Sequence, residues 1–207
     1  SPTDGTYAAD VTIDGGTTAL IIAASTIDGD LTLTSGHASG ITDSGTVTVG
    51  GNLAATTDAN SGAIDLGTLA VDGTMALTTH NNGAATVVND AGIEFAASTV
   101  GGTLTATATA GNITQSGALA ITGVTTIAAD SGNNITLTNT SNNFQAAVRI
   151  TSGNNVTLVD AGAIDLGAST VSGTYAVTAT AGGDITDSGG LAITGTSTFT
   201  VAGGQSV

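Results

Sequence analysis

The sequence of 207 residues carries 16 acidic side chains against one basic side chain, and its formal net charge is −15. Such a surface repels nucleic acid and anionic lipid, so we expect neither as a partner. Only 8% of the residues are charged and 40% are hydrophobic, with a mean hydropathy of +0.34. Disordered chains usually combine low hydrophobicity with high charge, so we expect a folded protein.

The sequence contains no cysteine, which excludes disulfides, thiol catalysis and thiolate metal sites. The strongest apolar run, Ala19–Ala24, has the length of one buried strand, so we expect no membrane insertion. The chain starts at Ser1 without a signal peptide, and we expect a mature form or an excerpt of a longer protein.

Short alternating segments, typical of β-strands, follow one another along the whole chain. In the first of them, Leu31 and Leu33 fall on one face, and threonines fall on the other. The same alternation returns in Thr46–Gly51, Ile64–Gly73, Leu104–Asn112, Ile135–Asn143, Phe144–Asn155 and Thr174–Gly183. The connecting turns are too short for a crossover helix, so the pattern predicts a chain that winds continuously around a core.

One stretch of sequence recurs at a long and constant interval. Ile113–Gly123 (ITQSGALAITG) returns as Ile185–Gly195 (ITDSGGLAITG), and a fainter version begins at Ile41, the same interval before Ile113. This 72-residue period indicates a repeat architecture. We expect one domain, residues 1–207, with repeat units of about 41–112 and 113–184 and partial units 1–40 and 185–207.

Glycine spacing suggests the size of one coil. Gly111, Gly132 and Gly153 are equally spaced, and Gly182 and Gly203 repeat that spacing, whereas the gap from Gly153 to Gly182 is longer. We interpret each 72-residue unit as three coils, one of them longer. The prediction is an all-β parallel β-helix, or β-solenoid, of about nine coils and a length of about 43 Å at ~4.8 Å per strand.

A single coil should not fold by itself, because its few buried aliphatic side chains offset too little of the conformational entropy. Stacking supplies the rest, and uncapped ends should associate with other chains. In the central unit we expect these side chains inside: Ile113, Leu119, Ile121, Ile127, Ile135, Leu137, Val148 and Ile150. We expect these outside: Thr122, Thr136, Thr138 and Arg149.

Aspartates in turns are the only abundant charged groups, and calcium is the one metal they suggest. The candidate ligands are Asp28 with Asp30 and Asp184 with Asp187, and Asp160 also lies near Asp165 in sequence. Neither an EF-hand loop nor the nonapeptide calcium-roll pattern is present, so solvated turn aspartates are the default interpretation.

Other acidic positions should lie on the surface. Asp65, Glu94 and Asp165 alternate with inward residues, which favours an outward orientation. Gln115 stands where the other copies of the repeated stretch carry Asp43 and Asp187, so we expect its side chain to face outward too.

Threonine and asparagine patterns are open to two interpretations each. Repeated T-x-T resembles the ice-binding face of β-solenoid antifreeze proteins, but the pairs scatter among strand types and threonine is a good outward strand residue. Asparagine pairs at turns should stack amides along the rod, a role we prefer to glycan attachment: Asn81–Asn82, Asn133–Asn134, Asn142–Asn143 and Asn154–Asn155. His37 and His80 lack a neighbouring cluster and are not persuasive ligands.

An enzyme is the third class considered. Parallel β-helix polysaccharide lyases and hydrolases use clustered Asp with Arg or Lys and aromatic platforms, whereas this chain has one Arg, no Lys, no Trp, two Tyr and three Phe. We therefore expect no catalytic residue and no cofactor, with Ca²⁺ the only candidate ion.

Several phrases carry a family resemblance: Gly111–Ala129, Ser131–Asn139, Ser141–Thr151 and Asn154–Gly167. They resemble the repeat regions of filamentous-haemagglutinin-like exoproteins, bacterial surface adhesins of which many are exported by two-partner secretion. The resemblance covers most of residues 20–203, rests on style rather than on an invariant motif, and transfers no binding residue. It implies a right-handed parallel β-helix, extracellular placement and a spacer or adhesive role.

From residues and resemblance together we expect a structural or adhesive element of an extracellular bacterial fibre. Its partners would be itself, end to end or laterally, or cell-surface glycans. The alternative is a binding module that uses outward Thr and Asp faces for ice or for calcium-bridged glycan.

Overall fold

A computed structural model describes residues 9–58 and 60–207, which form 26 short β-strands. The first eight residues of the predicted partial unit 1–40, including Tyr7, lie outside the described residues. No helix in residues 9–58 and 60–207 is long and apolar enough to span a bilayer.

The strands, in chain order, are β1 (Val11–Asp14), β2 (Leu20–Ile22), β3 (Ser25–Ile27), β4 (Leu31–Ser35), β5 (Ile41–Asp43), β6 (Val47–Val49), β7 (Leu53–Thr57), β8 (Ile64–Val71), β9 (Thr74–Thr78), β10 (Ala85–Asn89), β11 (Ile93–Phe95), β12 (Ser98–Val100), β13 (Leu104–Ala108), β14 (Ile113–Gln115), β15 (Leu119–Ile121), β16 (Thr125–Ala128), β17 (Ile135–Leu137), β18 (Asn143–Phe144), β19 (Val148–Ser152), β20 (Val156–Asp160), β21 (Ile164–Leu166), β22 (Ser169–Val171), β23 (Tyr175–Ala179), β24 (Ile185–Asp187), β25 (Leu191–Ile193) and β26 (Ser197–Val201).

The chain winds between two parallel sheets that face each other across one core. Sheet A follows the order β1-β4-β7-β9-β11-β14-β17-β20-β23-β26, and sheet B the order β2-β5-β8-β10-β13-β16-β19-β21-β24. A two-stranded sheet C, β22-β25, continues from sheet B at one end. Each strand therefore pairs with the strand one coil away, which confirms the predicted β-solenoid.

We number the coils 1 to 10 by their strand on the path of sheet A, from β1 to β26. Ten strands enclose nine intervals, which at ~4.8 Å each give a stack about 43 Å long. From β1 to β26 the chain thus makes nine full turns, which confirms the predicted number of about nine coils.

Alternation along each strand decides which side chains enter the core. Inward residues stack in columns, such as Leu31, Leu53 and Met75 on sheet A. All eight aliphatic side chains predicted inside the central unit are buried, and the four residues predicted outside are exposed. Burial of these columns, each inward side chain contributing about 1.5–3 kcal/mol, is what holds the coils together.

The interpretation of the 72-residue unit as three coils is wrong. Ile41 begins β5 on sheet B, Ile113 begins β14 on sheet A, and Ile185 begins β24 on sheet B again. From β5 the chain makes three coils to β13 and then half a coil to β14, so one unit spans three and a half coils.

The error came from the glycine spacing. Gly111 and Gly153 precede sheet A strands, whereas Gly182 precedes the sheet B strand β24. The longer gap from Gly153 to Gly182 is thus one and a half coils rather than one long coil. As a result, successive repeats lie on opposite faces of the rod, related by a half-turn about its axis and a shift of about 17 Å along it.

Candidate functional site

A line of side chains runs along the corner that precedes the sheet A strands, and it couples successive coils. The backbone N–H of Asp30 donates to Oδ1 of Asp10 over 2.9 Å, and the N–H of Asn52 donates to Oδ1 of Asp30 over 2.7 Å. The N–H and hydroxyl of Thr74 both donate to Oδ1 of Asn52, at 2.9 and 2.8 Å. Four coils are linked in this way, and we call the set the first corner ladder.

A second corner ladder links coils 6 to 9. The N–H of Asn134 donates to Oδ1 of Asn112 over 2.8 Å, and the N–H and Nδ2 of Asn155 donate to Oδ1 of Asn134, both over 3.1 Å. Thr174 closes the ladder with N–H and hydroxyl donation to Asn155 at 3.1 and 3.0 Å. The predicted stacking of turn amides is confirmed for Asn134 and Asn155.

Asn142 departs from that prediction because its amide is fully buried. Its Oδ1 accepts from Nε2 of Gln115 at 2.8 Å, and its Nδ2 donates to Oε1 of Gln115 at 2.9 Å and to the carbonyl of Val159 at 3.1 Å. Gln115 is half-buried in this pair, so the expectation that it faces outward is wrong. Its amide is needed to satisfy a buried polar partner.

Asp160 is also fully buried, so the default of solvated turn aspartates is wrong for this residue. Its carboxylate accepts from the N–H of Phe144 at 2.7 Å and from the N–H of Gly162 at 2.6 Å. Burial raises the pKa of Asp160 above its ordinary value, and the two N–H donors oppose that shift. In the preceding repeat Asn89 occupies the matching position, and its Oδ1 accepts from the N–H of Val71 at 2.8 Å.

The calcium candidates lie at opposite ends of the rod. Asp28 and Asp30 are exposed in the turn between β3 and β4, whereas Asp184 and Asp187 are exposed in the last coil. Asp184 accepts from the N–H of Ser206 at 2.8 Å, and Asp187 from the N–H of Gly189 at 2.8 Å. In the described part of the chain, no three His, Asp or Glu side chains are arranged to hold a metal ion.

Other polar residues singled out in the sequence also serve the coils. Asp165 accepts from the hydroxyl of Ser188 in the next coil at 2.7 Å. Asp43 accepts from the N–H and hydroxyl of Thr68, both at 2.7 Å. Nδ1 of His80 lies 2.6 Å from the carbonyl of Thr57. Glu94 and Asp65 are exposed, as expected.

As expected, the T-x-T pairs lie in different sheets, for example Thr105 with Thr107 in β13 of sheet B and Thr198 with Thr200 in β26 of sheet A, but single threonines also form one file on the outer face of sheet A. Thr34, Thr56, Thr78 and Thr99 stack in consecutive coils. The neighbouring file changes from Thr32 to alanines after coil 2. The threonine surface of sheet A is therefore one residue wide rather than two. The stacking of these threonines depends on how neighbouring coils pair, which residue spacing does not show.

Two surface grooves occupy matching positions in neighbouring repeats and open on opposite faces. One, of about 220 Å³, lies between Asp72 and Glu94; the other, of about 140 Å³, lies between Gln145 and Asp165. Their shared position follows from the half-turn between repeats. The sequence did not predict them, since each lies between the turns of two adjacent coils, and residue spacing does not show which turns are neighbours.

Core positions are only partly buried in the first and the last coil of the described residues. Val11, Ile13 and Leu20 are only partly buried at one end, and Phe199 is partly buried at the other. The N–H of Ile185 donates to the carbonyl of Ser206, which sets Val207 over Ile185 at the start of another coil with 68% of its surface exposed.

The parallel stacked sheets and the periodic sequence define a β-solenoid repeat protein. Within that class, the chain belongs to the family described as repeats of unknown function (DUF5649), which matches residues 8–68, 82–151 and 153–207. Each matched segment contains one copy of the repeated motif, at Ile41, Ile113 or Ile185. Comparison with curated proteins and with solved structures found no match.

Proposed function

We propose that this solenoid is a structural and adhesive element of an extracellular bacterial shaft or fibre. The observation that carries the proposal is the uninterrupted stack of ten strands in sheet A. Its partners are other copies of the chain and cell-surface glycans, in agreement with the resemblance to filamentous-haemagglutinin-like repeats. The polar side chains of the two corner ladders are engaged between coils, which suits a scaffold.

Two measurements test this proposal. Antibodies raised against the protein should label intact cells of the bacterium that produces it, and labelling only after lysis would contradict the extracellular role. Beads coated with the protein should adhere to host-type cell surfaces more than beads coated with bovine serum albumin. Equal adhesion of the two would remove the adhesive part and leave a spacer role.

The alternative is an ice-binding module, and the file of four threonines on sheet A favours considering it. In ice-affinity partitioning, enrichment of the protein in the frozen phase would support this alternative. Retention in the liquid would exclude it, which is the outcome expected of a shaft, because a single file gives ice only one row of hydroxyl and methyl groups.

A further inference from the structure

One file of side chains on the outer face of sheet B has opposite charges at its two ends. Strand pairing places one outward residue from each of the consecutive strands β8, β10, β13, β16 and β19 in this file: Asp65, Thr86, Thr105, Thr126 and Arg149. We call this set the sheet B file. Thr105 is its middle member, and the file is about 19 Å long at ~4.8 Å per strand. It begins with a carboxylate and ends with the only Arg or Lys side chain of the sequence.

Both charged ends of the sheet B file are exposed and lack a partner in their own molecule. Within residues 9–58 and 60–207, neither the Asp65 carboxylate nor the Arg149 guanidinium makes a side-chain hydrogen bond or an ion pair. By contrast, Asp43 and Asp165 of the same sheet each accept a hydrogen bond from the next coil. An unpaired guanidinium on a molecule of formal charge −15 is suited to bind a carboxylate of another molecule.

Between its charged ends this face is uncharged and low. The three threonines of the file are half-buried, and the next file along the same strands holds Val88, Thr107 and Ala128. Such short side chains let another sheet approach to about 10 Å, the usual spacing of packed sheets. The stem of Arg149 also lies low against Gly167, since a Cβ on that glycine would be 2.6 Å from Cγ of Arg149. The face can therefore pack against a second flat sheet.

From these observations we infer that two copies of the chain pair through their sheet B faces, with their rods antiparallel. The two-fold axis runs along β13, so that Thr105 faces Thr105 of the second copy. Thr86 of each copy then faces Thr126 of the other, and Asp65 of each copy faces Arg149 of the other. Rods packed in parallel about the same centre would instead place like charges opposite each other at both ends of the file.

The proposed interface is self-complementary, as a two-fold contact requires, because each copy supplies one carboxylate and one guanidinium to the same two pairs. The inference rests on the proposed function and deepens it, since it specifies a lateral contact between two shafts.

Size and charge make this contact weak. The patch covers five strands and two files, which is below the roughly 800 Å² per partner of a standard interface, so we expect a reversible dimer at high concentration. Asp90 and Asp130, which follow β10 and β16, would face each other at the rim. At physiological ionic strength the Debye length is about 8 Å, so salt screens the long-range repulsion of the two acidic molecules more than it screens the contacting pairs.

Charge reversal tests the pairing. Arg149→Asp and Asp65→Arg each place like charges at both ends of the interface, so each variant alone should stay monomeric in sedimentation velocity where wild type dimerises. An equimolar mixture of the two variants should restore the dimer, because both unlike pairs form again across the interface. Dimerisation of either variant alone, or a mixture that stays monomeric, would overturn the inference.

A matched pair of variants separates the contact from the effect of net charge. Arg149→Gln and Thr136→Asp have the same net charge, but Thr136 is exposed on the outer face of sheet A. Arg149→Gln should raise the Kd of the dimer about tenfold, since it removes both pairs. Thr136→Asp should dimerise like wild type. An equal rise in Kd for both variants would overturn the inference.

Cross-linking tests the antiparallel arrangement, because the natural sequence has no cysteine. With a short bismaleimide, a mixture of Thr86→Cys and Thr126→Cys should give more cross-linked dimer than either variant alone. The axis places Thr86 opposite Thr126 of the second copy, but two strand intervals, about 10 Å, along the rod from Thr86 of that copy. Stronger linking of Thr86→Cys to itself would indicate parallel rods and overturn the inference.

Wild-type protein that stays monomeric up to the highest attainable concentration at physiological salt would also overturn the inference. The cysteine variants leave every charge in place, so they keep the test informative if a charge-reversed variant folds poorly. Labelling of intact cells and bead adhesion do not depend on this contact. Failure here and failure of the proposed function are therefore distinguishable.

Discussion

Tyr175 is the largest fully buried side chain of the rod, and its hydroxyl makes no hydrogen bond within residues 9–58 and 60–207. Its ring meets Phe199 edge to face, with centroids 6.0 Å apart. Burial raises the pKa of Tyr175 to about 12. The side chain of Ser169 lowers this pKa, but by less than burial raises it. The matching residue of the preceding repeat is Leu104, so the hydroxyl is a local addition to an apolar position.

The sign of the alkaline effect follows from this raised pKa. Tyr175 contributes its full stability below its unfolded pKa of about 10, and that contribution is lost as pH rises through about 12. Tyr175→Phe should therefore remove up to about 3 kcal/mol of pH dependence over this range. At pH 7 the variant should be at least as stable as wild type, because no hydrogen bond is lost. Urea unfolding at both pH values checks this, and strong destabilisation at pH 7 would contradict it.

Asp160 predicts a pH dependence at the acidic end. Since burial raises its pKa, its contribution to stability is complete below the ordinary value of 3.8 and falls as pH rises through the folded-state pKa. Asp160→Asn does not titrate at this position. The free energy of unfolding of wild type minus that of the variant should thus be largest near pH 3 and decrease toward pH 7. A difference that grows with pH would contradict the burial argument.

Alternation predicted the inward residues correctly because successive side chains of a strand point to opposite faces. A strand that turned Ile113 or Leu137 outward would turn all of its other inward side chains outward as well. Alternation alone does place Asp160 inside, on the same side of β20 as Val156 and Leu158, and only its charge argues against burial; Asn142 lies before β18, where alternation makes no prediction. Both are buried only because a neighbouring coil presents backbone groups to them, Phe144 N–H in one case and Val159 carbonyl in the other. Such partners are 16 or 17 residues away, and no local pattern identifies them.

At the scale of elements, the corner ladders determine how well one coil is held to the next. Asn134→Ala removes the acceptor for the N–H of Asn155 and should lower the free energy of unfolding by about 1 kcal/mol. Asn133→Ala is the matched control, because the bonds given by Asn133 involve its backbone alone. Chemical denaturation of the two variants makes the comparison. An equal loss in both would show that the ladder contributes nothing beyond the turn.

The elements also show where counting residues fails. Strands and turns were predicted from β-branched alternation and glycine, but glycines at Gly153 and Gly182 mark two different corners of the coil. Since both corners need tight turns, their glycines look alike in sequence. Only strand pairing separates a whole coil from half a coil.

At the scale of the molecule, the calcium hypothesis has a direct test. Asp28 and Asp30 lie near one end of the rod and Asp187 lies near the other, so within one rod they cannot contribute ligands to the same ion. We expect excess Ca²⁺ to leave the melting temperature of the monomer unchanged, with Mg²⁺ as the control for ionic strength. A rise specific to Ca²⁺ would contradict this and restore an acidic turn as a metal site.

The central claim is that one 72-residue repeat spans three and a half coils, so that the repeats alternate between faces. Thr42 and Thr114 are matching outward residues on sheets B and A. Electron–electron distance measurement on spin labels at Thr42→Cys and Thr114→Cys tests the claim. We predict labels that point away from each other, with backbones about 17 Å apart along the axis and ~10 Å across it. Labels side by side on one face, about 14 Å apart as three whole coils require, would contradict it.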